Sequence, residues 1–174
     1  MATCTLWQEI PEELVHEVLL AVRDSDKRLY RVVVELTSRR LGIRQAKLLE
    51  MAKTERHQLS RRVLSLPQSE EISSHLFSRW LVQTRAPMLC DWLDALGIPH
   101  DQQGVVEEFP EEPASEKLRA ALEGLLVRYP ALDVAIYLRL FNEIEDVGWK
   151  GLEEILSGDD RLRIRRREVS EIRG

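Results

Sequence analysis

Residues 87–99 read Pro87-Met88-Leu89-Cys90-Asp91-Trp92-Leu93-Asp94-Ala95-Leu96-Gly97-Ile98-Pro99. Leu89, Trp92, Leu93 and Leu96 recur at helical spacing, so their side chains share one face of an α-helix. Gly97 suits the left-handed position just past a helix end. Ile98 follows where it can fold back on Leu93, and Pro99 forbids another turn. The stretch predicts a helix over 87–96 with a defined stop.

The same period runs along nearly the whole chain. It predicts helices over 11–22, 25–41, 43–64, 115–129, 130–142 and 149–158 as well, and one that begins after Ser69 with Ile72, Leu76, Phe77, Trp80 and Leu81 facing inward, about eight in all. Pro11 suits a first helical position, with Glu12 and Glu13 favourable to the dipole there. Leu29, Val32, Val33 and Leu36 form the expected inner face of the second helix. The polar middle of the third, residues 53–58, is a candidate break. Ser69 and Ser115 are expected N-caps. Val32-Val33-Val34 is embedded in helical spacing, and no Asn-Gly or Asp-Gly hairpin turn occurs. The fold class is therefore all-α: a single-domain helical bundle over residues 1–158, with a long acidic loop at 97–113 and an Arg-rich tail at 159–174. Residues 70–96 and 116–142 each read as helix, Pro-marked turn, helix, so stacked αα-hairpins are one arrangement of the C-terminal half and a plain bundle is the other.

Composition bounds the class. The chain has 174 residues, 44% hydrophobic and 32% charged, with 8 Gly and 7 Pro. It is neither collagenous nor broadly disordered, and it is long enough to bury a core. The net charge of −5 conceals segregation. Residues 23–62 hold 12 basic and 5 acidic groups, residues 91–160 hold 5 basic and 17 acidic, and residues 161–174 hold 6 Arg and 2 Glu. Such asymmetry points to a polyanion, a basic partner, or two complementary faces. No apolar run is long enough to span a bilayer, and residues 1–7 lack the charged and apolar regions of a signal peptide. Cys4 and Cys90 form no C-x-x-C pair. A reducing, cytoplasmic setting is expected, with no membrane partner.

Catalytic fingerprints are missing. There is no G-x-G-x-x-G, G-x-x-x-x-G-K-[ST], G-x-S-x-G or H-E-x-x-H. No catalytic residue is assigned and no cofactor is expected. His16, His57, His75 and His100 never share the i, i+3 or i, i+4 spacing of a helix-borne metal pair. The one group with ligand chemistry is Asp91, Asp94, His100 and Asp101, which would hold a divalent metal if His100 swung back across the Gly97 turn. The acidic pairs Glu107/Glu108, Glu111/Glu112, Glu153/Glu154 and Asp159/Asp160 read as solvated surface. Trp80, Trp92 and Trp149 sit on apolar helix faces and read as core anchors. Trp7, ahead of the first expected helix, reads as exposed and as a contact residue.

The basic block carries one pattern. Leu36-Thr-Ser-Arg-Arg-Leu-Gly-Ile-Arg-Gln-Ala-Lys-Leu48 has a small residue, Ser38, four before Gly42, with Ile43 after the glycine and Leu48 six beyond it. It resembles the turn region of helix-turn-helix DNA-binding domains. That resemblance implies a second helix over 44–53 in the major groove, with Arg44, Gln45 and Lys47 facing base edges or phosphate. Arg39, Arg40, Arg56, Arg61 and Arg62 add positive charge around it. The leading functional expectation is a non-enzymatic interaction or scaffolding protein, with a homodimer as one form. Its recognition faces are the basic 23–62 and acidic 91–160 regions, and the tail is expected to grip the chain's own acidic face. The alternative is a nucleic-acid-binding protein acting through 36–53. A small metal-dependent enzyme comes third.

Overall fold

The computed structural model describes residues 2–164. The Arg-rich expectation for residues 165–174 lies outside the described residues. The chain is all-α. Among the described residues there are ten α-helices, two 3₁₀ turns and no strand.

The contacts divide into two compact units, residues 2–77 and residues 78–164. The first unit contains α1 (Thr3–Glu9), α2 (Glu12–Ser25), α3 (Lys27–Leu41), α4 (Gln45–Glu50), α5 (Lys53–Leu64), a 3₁₀ turn (Pro67–Ser69) and the start of α6 (Glu70–Thr84). Its core comes from Leu14, Val15, Val18, Leu19 and Val22 of α2 with Val33, Val34, Val63 and Leu64. Asp26 caps α3, its carboxylate accepting from the amides of Arg28 (3.1 Å) and Leu29 (2.9 Å).

Several expectations are corrected by the structure. An extra helix, α1, precedes the first expected one, and Trp7 lies in it fully buried. Its ring packs 4.6 Å from that of Phe77, and its indole N–H donates to Ser73 Oγ at 2.9 Å. The expected helix over 43–64 breaks at Met51 and Ala52 into α4 and α5. The α3 stripe is rotated: Tyr30, Val33, Val34 and Thr37 are buried, while Val32 is 49% exposed. The cause is polar. Thr37 Oγ1 donates to Val33 O (2.7 Å) and bonds Ser60 Oγ (3.1 Å), and the Tyr30 hydroxyl has its own buried partners, so both hydroxyls tolerate the interior. Neither expected serine caps a helix. Ser69 Oγ donates to Val63 O (2.9 Å), and Ser115 is already helical behind Ala114.

The second unit holds the rest of α6, then α7 (Ala86–Leu96), α8 (Ser115–Arg128), α9 (Ala131–Asn142), α10 (Lys150–Gly158) and a 3₁₀ turn (Asp160–Leu162). The α7 stop forms as the sequence reads. Gly97 has φ 72°, Gly97 N donates to Asp94 O (3.0 Å) and Ile98 N to Leu93 O (2.9 Å). Phe141 is the aromatic hub, 6.1 Å from Trp92, 5.7 Å from Phe109 and 5.3 Å from Trp149 between ring centres. The buried Asp133 carboxylate accepts from Arg85 Nε at 2.6 Å. The first residues beyond α10 are docked: Leu162 and Ile164 are buried, and Arg161 pairs with Glu123.

Candidate functional site

The basic residues singled out in the sequence gather around Gly42 in the first unit. Gly42 takes φ 65°, which lets Ile43 N return to Ser38 O at 3.1 Å, and Ser38 Oγ donates to Ile43 O at 2.6 Å. Arg39, Arg40, Arg44, Gln45 and Lys47 are all exposed around this turn. Arg39 reaches Glu35 at 2.6 Å, an exposed pair that leaves its charge available. The second helix is not the one expected over 44–53. It is the six-residue α4, ending at Glu50.

Six residues are too few to hold a helix alone. Two contacts fix α4. Leu48 is buried beneath it. From α5, the buried Arg56 guanidinium donates to Leu49 O (3.0 Å) and Met51 O (3.4 Å), satisfying carbonyls at the end of α4. Arg61 does the same for α1, donating to Gln8 O (3.1 Å) and Ile10 O (2.9 Å). Arg56 and Arg61 were expected to swell the surface charge. They instead serve as caps, and of the α5 arginines Arg62 alone is exposed.

Behind Arg56 runs a polar chain that the sequence did not reveal. Arg56 Nε donates to the Tyr30 hydroxyl at 3.2 Å, which lies 3.5 Å from His57 Nε2. His57 Nδ1 is 2.9 Å from His16 Nδ1, and His16 Nε2 is 3.4 Å from Glu12. One assignment satisfies every link. Tyr30 donates to His57 Nε2, His57 Nδ1–H donates to His16, and His16 Nε2–H faces the Glu12 carboxylate. Burial, His16 and the Arg56 charge push His57 down to a pKa of about 4. His57 is thus neutral at pH 7, a structural link rather than a general base. His16, His57, Tyr30 and Arg56 come from three helices, and no local spacing marks them.

One side of α3 is only partly covered by the described residues. Leu29, Val32 and Leu36 line a groove of about 430 Å³ with Ile72, and its rim carries Glu35, Arg39, Glu71 and His75. Leu49 is 53% exposed on α4 beside the basic residues. Apolar side chains left out of the core at helical spacing, rimmed by charge, have the anatomy of a protein-binding surface.

In the second unit the expected metal ligands do not converge. Asp91 binds the Tyr129 hydroxyl and Arg128 (2.8 Å). Asp94 pairs with His100 Nε2 at 3.1 Å, and His100 Nδ1 bonds Asp101 O. The Asp101 carboxylate accepts from Gln103 N and Val105 N, both at 2.8 Å, folding its own loop. Each carboxylate has thus been claimed by a nearer donor, and among the described residues no three His, Cys, Asp or Glu side chains could hold a metal ion. Hydrogen bonding to the Asp101 carbonyl and to Asp94 raises the His100 pKa. Thiol nucleophiles are equally poor here: burial pushes Cys4 up to about 11 and raises Cys90. No helix among the described residues is long and apolar enough to cross a membrane.

No family model, curated protein or solved structure matches this chain.

Proposed function

We propose that this chain is a non-enzymatic protein-interaction protein whose recognition surface is the outer side of α3 and α4. The single observation behind this reading is the groove-lining stripe of half-buried Leu29 and Leu36 with exposed Val32, which leads toward the exposed basic residues Arg39, Arg40, Arg44 and Lys47. Apolar anchors would supply most of the affinity, and the arginines orientation and association rate. The surface fits a partner that is acidic and offers an apolar ridge. The acidic 91–160 region places a second copy of the chain within that class.

The helix-turn-helix resemblance keeps nucleic acid as the second reading, supported by exposed Arg44, Gln45 and Lys47 around a left-handed Gly42. A stripe of apolar groups beside them favours protein, because phosphate contacts make no use of it.

The experiment is mass in solution at high protein concentration in low and high salt, alongside binding of labelled duplex DNA. Three forms are compared: wild type, Val32→Asp, and the charge reversal R39E/R40E/R44E/K47E. The proposal expects salt-sensitive self-association that both variants abolish. A monomer that binds duplex DNA, with loss only in the charge reversal, would transfer the function to the nucleic-acid reading. A monomer that binds no DNA would overturn both.

A further inference from the structure

The second unit carries a concave feature of its own. A cleft of about 150 Å³ opens among Leu81, Val82, Leu89, Phe109, Tyr137 and Ile144, and among the described residues no charged one lines it. One wall is the loop between α7 and α8, pressed so close that a Cβ on Gly104 would stand 2.6 Å from Leu89 Cβ.

Tyr137 is the odd member. It is 6% exposed, and its ring sits 5.9 Å from that of Phe141 in the aromatic cluster. Its hydroxyl donates to none of the described residues. The residue lines the cleft, so its hydroxyl is free to donate to what enters there. Phenylalanine, used beside it at positions 109 and 141, would fill the same space but offer no donor. Burial also raises the Tyr137 pKa, so the phenol keeps its proton and remains a donor.

We propose that this cleft is a binding site for a small uncharged molecule, aromatic or compactly aliphatic, carrying one carbonyl that accepts a hydrogen bond from the Tyr137 hydroxyl. The volume admits a ligand not much larger than benzene, since a 150 Å³ apolar cavity engineered in another protein holds benzene. A lining without charge among the described residues disfavours anions and ammonium ions. Two hydroxyls line the cleft, Ser78 at an exposed position and Tyr137 at a buried one; the buried donor in an apolar wall specifies an acceptor on an apolar body.

The test uses two probes of nearly equal shape, acetophenone and its hydrocarbon counterpart cumene, titrated into the full chain and followed by amide NMR shifts. Both should shift the Leu89, Gly104 and Tyr137 resonances. Tyr137→Phe should weaken acetophenone by about 3- to 10-fold, the worth of one neutral hydrogen bond, and leave cumene within about twofold. Val82→Phe, at the half-buried rim, should block both. Wild type unshifted by either probe would overturn the site. So would a Tyr137→Phe protein that binds acetophenone as well as wild type does, or that weakens both probes equally.

Discussion

Nδ1 of His16 lies 2.9 Å from Nδ1 of His57, and one proton occupies that line. Protonating His57 places a second N–H at Nε2, against the Tyr30 hydroxyl that donates there and beside the Arg56 charge, with Arg23 and Lys53 adding positive charge; Glu12, the carboxylate on this chain of groups, faces the far side of His16. A histidine lowered to about 4 from 6.5 contributes stability that is complete above pH 6.5 and is lost as pH falls toward 4, because the unfolded chain takes up the proton first. Wild type should therefore lose about 2 kcal/mol more between pH 7 and pH 4.5 than His57→Phe does. Urea denaturation at several pH values measures it. Parallel pH profiles for the two proteins would refute the assignment.

Arg56 and Arg62 separate capping from surface charge. Arg56→Met removes hydrogen bonds to Leu49 O and Met51 O in a buried setting, so it should cost about 2–3 kcal/mol and speed amide exchange through α4. Arg56→Lys, with the charge but not the fork, should fall between. Arg62→Ala, at an exposed position, should stay within about 0.5 kcal/mol of wild type. Equal costs for Arg56→Met and Arg62→Ala would show that α4 does not depend on its clamp.

These clamps explain what could be read from the sequence and what could not. The stop at Gly97 was legible because its glycine, apolar contact and proline lie within six residues of Leu93. The Asp26 cap is equally local. The end of α4 rests on Arg56, the end of α1 on Arg61 and the end of α7 on Lys117, whose Nζ donates to Leu96 O at 2.7 Å. Each reaches across 5 to 54 residues of chain. Periodicity carries no record of such partners, so α1 was missed and the break at Met51 was misplaced. The rotated α3 face has the same origin: Tyr30 and Thr37 look like surface residues until Arg56 and Ser60 arrive from α5. The Asp91, Asp94, His100 and Asp101 set failed for the converse reason. Proximity in sequence was visible, but Tyr129 and Arg128, which claim Asp91, were not.

Glu70 caps α1 from the start of α6, its carboxylate accepting from Thr3 N (2.6 Å) and Cys4 N (2.8 Å). Burial pushes its pKa up, but the two amides outweigh burial and hold it below the ordinary value. Its contribution is present above the unfolded value of 4.5 and is lost as pH falls below it. Glu70→Gln should cost about 1 kcal/mol at pH 7, the worth of an N-cap, and the two proteins should converge on acidification below pH 4. A deficit that persists undiminished at pH 3 would mean that packing, not the charged cap, is what the substitution removes.

Gly104→Ala tests whether the loop between α7 and α8 is held by contact with α7. The residue has φ 78°, which a side chain resists, and its added Cβ would meet Leu89 Cβ at 2.6 Å with no flexible atom to give way. The two penalties are separable. Gly104→Ala should lower stability by about 2–3 kcal/mol, roughly 1 of it from the left-handed backbone. Leu89→Ala leaves a Cβ at the same place, so it should relieve none of the clash, and the double variant should be additive to within about 0.5 kcal/mol. Leu89→Gly removes the clashing atom itself. Paired with Gly104→Ala, it should be less damaging than the sum of the single changes by about 1–2 kcal/mol. A double-mutant cycle by thermal or urea denaturation reads both couplings. Strict additivity of the Leu89→Gly pair would show that the loop moves off α7 at no cost.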